Sequence, residues 1–205
     1  MSEEKKIIRT GQIITIGRQL GSGGREIGQK LSKELSIPFY DKEILDEAAK
    51  KSGFSKEIFE KHDEKPTNSF LYALAMGATS FGQFNQKPLL LELYLAQFDT
   101  IRKLAEEGPG IFIGRCADYV LNDHEPIFNV FIHADMETRI ERTMEKHGID
   151  RREAEEMCRR SDKDRANYYN YYSNHEWGNG LHYDLCINTT KIDLDKAVEM
   201  IKACL

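Results

Sequence analysis

Nowhere in the 205 residues does an apolar run approach the ~18 residues that a membrane-spanning helix needs. The opening residues Met1-Ser2-Glu3-Glu4-Lys5-Lys6 are charged and lack the apolar core of a secretory leader. No membrane partner and a cytoplasmic location are therefore expected. Cysteine is scarce: Cys116, Cys158, Cys186 and Cys204 stand far apart, and no two form a C-x-x-C pair. That argues against a disulfide framework and against zinc, leaving reduced structural thiols as the expected state. His124, His133, His147, His175 and His182 lack metal-ligand spacing and read as structural or exposed. A basic excess is absent too. With 29 Lys and Arg against 34 Asp and Glu the formal net charge is −5, which speaks against a nucleic-acid polymer as partner. No internal repeat and no low-complexity tract is found.

What is present is a globular composition, 40% hydrophobic and 31% charged. The length suits one domain, or one domain with a lid. Apolar runs at 13–16, 37–40, 111–113, 127–133 and 183–187 read as short strands. Between them, segments at 42–51, 55–61, 88–107, 135–146, 150–167 and 193–203 read as helices. Another helix follows the first strand, with Ile27, Leu31 and Leu35 apolar at every fourth position. Short apolar strands alternating with helices specify an α/β protein whose parallel sheet is covered on both faces. The stretch 70–86 has weak periodicity and reads as a substrate-covering insert.

The chain is organised around residues 13–31, IITIGRQLGSGGREIGQKL. Strand, glycine-rich turn and helix is the arrangement in which backbone N–H groups and a helix N-terminus converge on a phosphate. Gly21, Gly23 and Gly24 permit a positive φ and a close approach of the anion. The standard phosphate loop, G-x-x-x-x-G-K-[ST], adds a lysine. Here, with Gly23 as the second glycine, Arg18 holds the first glycine's register and Gly24 the lysine's. Arg25 is the nearest cation, one residue late, a helical rotation of roughly 100°. Moving a unit charge from about 4 to about 8 Å from a phosphate loses ~2 kcal/mol at an effective dielectric near 20. That is about thirtyfold in rate.

In open parallel sheets ligands sit beyond the carboxyl ends of the strands. The strand ends carry Arg18 and Arg25, then Asp41, then Gly114, Arg115 and Asp118, then His133 and Asp135, and finally Asn188, Thr189 and Thr190. Arg115 directly follows a buried strand, so its guanidinium either forks onto a phosphate or pairs structurally with Asp118 or Asp41. Asp41 is equally readable as a helix N-cap or as a group orienting a hydroxyl or a metal-bound water. Residues 150–165 carry six cations and six anions, the balance of a solvated helix or of a lid whose arginines close on phosphates. Arg139 and Arg142, at i and i+3, would join such a lid from the same side. Tyr168, Tyr169, Tyr171, Tyr172, Trp177 and Tyr183 read as core or interface material rather than a base-stacking platform.

Taken together, GRQLGSGGREIG, IPFYDKEIL, IGRCADYVL, RRSDKDRANYY and YDLCINTTKIDLDKAVEMI resemble the nucleoside monophosphate kinases, most closely the cytidylate kinase-like proteins. The resemblance spans roughly residues 13–201. It implies a single three-layer P-loop NTPase domain over residues 1–205, with a five-stranded parallel sheet. An acceptor-side helical insert at about 54–87 and a helical lid at about 148–180 would complete it. It further implies ATP with Mg²⁺, bound over Arg18, Gly21, Ser22, Gly23, Gly24, Arg25 and Glu26. Asp41, Arg115 and Asp118 would lie at the acceptor site, with Arg139 and Arg142 closing from above and Arg160 and Asp164 in the lid. Arg25, Arg115, Arg160 and Asp164 are the expected catalytic set. The expected activity is transfer of the ATP γ-phosphoryl group to a nucleoside monophosphate of the cytidylate kind, with a homodimer as the assembly considered. The alternatives are a non-catalytic nucleotide-binding module of the same fold and a kinase of a non-nucleotide metabolite.

Overall fold

The computed structural model describes residues 12–53, 55–64 and 89–205. The insert read at 70–86 therefore lies outside the described residues. Five strands, β1 (Ile13–Arg18), β2 (Phe39–Tyr40), β3 (Gly110–Ile113), β4 (Ile127–His133) and β5 (Leu185–Asn188), form one sheet in the order β2-β3-β1-β4-β5. Every pairing is parallel, with Ile14 opposite Ile111 on one side and Phe128 on the other. β1 is central, so its carboxyl end opens between the ends of β3 and β4.

Strand periodicity of two divides β1 between two cores. Ile14 and Ile16 point to one face, where they meet Ile27 and Leu31 of α1 (Gly24–Leu35) and Val198 and Ile201 of α8 (Leu194–Cys204). Ile13 points to the other, among Phe98 and Ile101 of α4 (Leu89–Glu106) and Tyr168 and Tyr169 of α7 (Arg151–Ser173). α2 (Lys42–Ser52), α3 (Lys56–His62) and α5 (Ala117–Val120) complete this second layer, and α6 (Met136–His147) precedes α7. Each fully buried isoleucine contributes about 1.5–3 kcal/mol relative to exposure. The helices thus hold β1, and the turn after it, in a fixed place.

Two elements depart from the sequence expectation. The helix expected at 150–167 continues to Ser173, because Tyr168, Tyr169 and Ser173 turn inward and the tyrosine run becomes its apolar face. Tyr172 stacks on Tyr94 with ring centroids 3.5 Å apart, and only Tyr171 of this run is exposed as a large apolar side chain. Asp41 does occupy the N-cap position of α2, but its side chain makes no capping bond. Its carboxylate is spent elsewhere. Among the described residues no helix is long and apolar enough to cross a membrane.

Candidate active site

The turn after β1 is shaped by its glycines. Gly21 and Gly23 have φ of +75° and +81°, a region that only glycine enters cheaply. A Cβ on Gly21 would lie 2.6 Å from the Arg139 carbonyl oxygen, and one on Gly23 2.6 Å from Leu194 Cδ2. Gly23 is the N-cap of α1, and no side chain caps that end. The first amides of α1 are therefore available to an anion, with the positive end of the helix dipole behind them. A cleft of about 750 Å³ lies over the turn, large enough for a nucleotide.

The missing lysine is not a simple vacancy. A Cβ on Gly24 would sit 2.6 Å from Arg18 Cβ and 3.2 Å from Ile132 Cβ. Arg18 occupies the register of the loop's first glycine, so the bulky and the small residue have traded places. Arg25 is held by Asp41, its Nε donating to Asp41 Oδ2 at 2.6 Å, and it still lines the cleft over the loop. Arg18 donates through Nη1 to Glu64 Oε1 at 2.5 Å.

Arg139 and Arg142 are both bonded around the base of the loop, and Arg142 also lines the cleft above it. Arg139 pairs with Asp162 of α7, and Asp162 Oδ1 accepts the Leu20 N–H at 3.0 Å. Arg142 donates to Thr189 Oγ1 at 2.9 Å and to the Thr189 carbonyl at 3.0 Å. Thr189 Oγ1 in turn donates to the Ser22 carbonyl at 2.7 Å. Ser22 is itself buried, its hydroxyl donating to the Gln19 carbonyl at 2.8 Å.

A second cleft, about 570 Å³, adjoins the first and is lined by Asp41, Arg115, Arg160 and Asp164. Four of the expected residues are thus brought together. Arg115 is not the open phosphate fork expected of it. It is 2% exposed, and its guanidinium is bidentate on Asp63 at 2.9 and 2.8 Å and also donates to Asp41 Oδ1 at 3.1 Å. The structural pairing with Asp41 holds, while Asp118 is elsewhere. It accepts the Tyr169 hydroxyl at 2.6 Å and lines neither large cleft.

Glu64 joins the two clefts electrostatically. Its carboxylate accepts from Arg18, from Arg165 Nε at 3.0 Å and from the Arg115 backbone N–H at 3.0 Å. Burial alone would raise its pKa, but Arg18, Arg165 and Arg115 outweigh burial and hold it well below the carboxylate range. Asp41 behaves alike: burial opposes its charge, and Arg115 and Arg25 more than offset that. At Asp63 burial wins and pushes the carboxyl up, with Glu64 adding to it. Asp63 and Glu64 were not singled out by the sequence reading, because nothing distinguishes an acidic pair at the end of a short helical segment from a surface pair. Lys146, in the last turn of α6, was missed for the same reason, yet it lines both clefts.

The cradle suits phosphate. Ser22 is engaged, Arg25 follows the register of the lysine, and no group of three or more His, Cys, Asp or Glu able to hold a metal is found among the described residues.

The match to a protein-family model decides the assignment: the description is cytidylate kinase-like family, and it covers residues 13–191. The chain belongs to the cytidylate kinase-like family. A cytidylate kinase from Methanopyrus kandleri is 25% identical over 94% of this chain and 92% of its own length. A solved structure of an uncharacterized protein from Eubacterium ventriosum superposes with a TM-score of 0.71, at 33% identity over 93% of this chain and 96% of that one. Shikimate kinase from Bacteroides thetaiotaomicron, 13% identical, shares the fold with a TM-score of 0.55 over 95% of this chain and 98% of its own. This family member is thus a kinase with the P-loop architecture expected from the sequence, and its five-stranded parallel sheet carries helices on both faces.

Proposed function

We propose that the protein transfers the γ-phosphoryl group of ATP to a nucleoside monophosphate, a pyrimidine one. One observation carries this reading beyond the family. The acceptor-side cleft is lined by seven cationic residues against four carboxylates, in a chain whose net charge is −5. The glycine-loop cleft has five cationic residues against two carboxylates. Such local excess suits two anionic substrates held side by side.

Phosphoryl transfer demands positioning and charge neutralisation more than covalent chemistry. The amides from Gly21 to Arg25 would hold the β-phosphate. Mg²⁺ would come with ATP and be held largely through water. Arg115 and Arg25 fix both oxygens of Asp41, so this carboxylate is pre-set to orient the acceptor. Arg160 and Lys42 line the acceptor cleft without a partner among the described residues and would take the acceptor phosphate. Asp164 beside them lies on the lid helix α7.

The test is ADP release in a coupled assay over CMP, UMP, dCMP, AMP and a set of small hydroxy acids. Turnover highest with a pyrimidine monophosphate is expected. Turnover with a hydroxy acid alone would reassign the acceptor, and ATP binding with no turnover on any acceptor would mark a non-catalytic module.

A further inference from the structure

We propose that Lys146 supplies, from helix α6, the positive charge that the lysine-less glycine loop does not. The inference deepens the kinase reading and rests on it. Five cations line the glycine-loop cleft: Arg18, Arg25, Arg142, Arg165 and Lys146. Arg18 and Arg165 are committed to Glu64, Arg25 to Asp41, and Arg142 to Thr189. Lys146 makes no hydrogen bond or ion pair among the described residues. It is exposed, so its side chain has room to reach into the cleft.

Its location matters as much as its freedom. Lys146 lines the acceptor-side cleft as well as the glycine-loop cleft, so it stands at their junction. A phosphoryl group in transit has to cross that junction. Arg18, Arg25 and Arg165 border both clefts too, but each is held in place by a carboxylate, Arg18 and Arg165 sharing Glu64 and Arg25 sharing Asp41 with Arg115. The base of the side chain is anchored, because Gly148 in the left-handed conformation closes α6 through its N–H on the Met144 carbonyl at 2.8 Å. The backbone at position 24 cannot host the charge, since a Cβ there meets Arg18 Cβ at 2.6 Å. A cation brought in from α6 meets the same need without entering the loop.

In the reaction, an oxygen of the acceptor monophosphate forms the new bond to the γ-phosphorus. The bond from that phosphorus to the β–γ bridging oxygen breaks, and its electron pair stays on the β-phosphate of ADP. Lys146 remains protonated throughout; it contributes charge and gives up no proton. Its influence is greatest where negative charge spreads over the equatorial oxygens in the transition state. A cation in the last turn of a helix also offsets the helix dipole. A purely structural Lys146 of that kind would affect melting and leave catalysis alone.

The experiment uses the full chain and its Lys146→Ala, Lys146→Arg and Lys33→Ala forms, with MgATP and CMP. Kinetics come from ADP release, and ATP and ADP affinities from equilibrium titration. Lys146→Ala is expected to lower kcat by about thirtyfold or more, because it deletes the charge outright and withdrawal from about 4 to about 8 Å alone would cost that factor. KM for CMP should change little, and affinity should fall more for ATP than for ADP. Lys146→Arg should recover most of the rate, and Lys33→Ala, on the outer face of α1, should match wild type. A kcat within about threefold of wild type together with an unchanged ratio of ATP to ADP affinity would overturn the proposal. So would a lowered melting temperature with no rescue by arginine. If wild type turns over no acceptor, the kinase reading fails by itself, and the ATP to ADP ratio alone decides Lys146. A wild type that binds neither nucleotide overturns both.

Discussion

Replacing Glu64 by glutamine removes the negative charge at the centre of the arginine cluster while keeping the side chain's shape. The native carboxylate accepts from Arg18 at 2.5 Å, Arg165 at 3.0 Å and the Arg115 amide at 3.0 Å. The side chains of Glu64, Arg18 and Arg165 are only 11%, 11% and 15% exposed, so solvent screens them weakly. Removing one partner of a buried ion pair costs about 3–5 kcal/mol, because the other charge stays behind uncompensated. Here two guanidinium groups stay behind and repel each other, which favours the middle of that range or above, ~4 kcal/mol. In a chain of this length each kcal/mol shifts Tm by about 2–4 °C, so Glu64→Gln should melt roughly 10 °C below wild type at pH 7. The pH dependence identifies the cause. Although burial opposes its charge, the arginines hold Glu64 below its unfolded value. Its contribution is therefore full above about pH 4.3 and drains away as the pH falls from there toward its folded value. The gap between wild type and variant should narrow on acidification. Thermal unfolding followed by circular dichroism at pH 7, 5 and 3 measures it. A gap below about 2 °C at neutral pH, or one that stays constant into acid, would show that the charge on Glu64 does not hold this cluster together.

Installing the standard lysine should not help. Gly24→Lys is expected to lose about 1–3 kcal/mol by overpacking against Arg18 and to gain no kcat, and its cost should be smaller in an Arg18→Gly background, which itself forfeits the ion pair with Glu64. The double-mutant cycle in urea measures the coupling. Arg142→Ala removes two bonds from a charged donor to Thr189 and should cost about 1–3 kcal/mol, with ATP affinity falling as the Ser22 carbonyl loses its support. Nucleotide titration beside thermal melting checks both parts. Tyr168→Phe strands the Gln97 carbonyl oxygen, to which the buried hydroxyl donates at 3.2 Å. A loss of ~1–2 kcal/mol, seen as a lower urea midpoint with an unchanged slope, is expected.

The sheet was readable because each strand is an apolar run closed by glycine or by a polar strand end, a pattern set by local chemistry alone. The end of α7 was less so. Tyr168, Tyr169, Tyr171 and Tyr172 follow no clear period on paper, and only packing against Tyr94 and Phe98 shows which side of the helix is inward. The site divides the same way. Gly21, Gly23, Asp41 and Arg115 are visible as strand-end residues whatever their partners. The partners are not visible, because Asp63 and Glu64 meet Arg115 across about fifty positions of chain, and such pairing is a tertiary property. Arg139 and Arg142 show the same limit: their spacing on one helix is legible, while their partners Asp162 and Thr189 lie far off in the chain.

The exchange between Arg18 and Gly24 has a consequence for how such enzymes change over time. Neither side chain can be swapped alone without crowding or emptying the space between the β1 end and the first turn of α1, so the two positions should alter as a pair or stay as they are. Motif scans keyed to a lysine after the last loop glycine will pass over these chains, although the backbone that greets the nucleotide is in place.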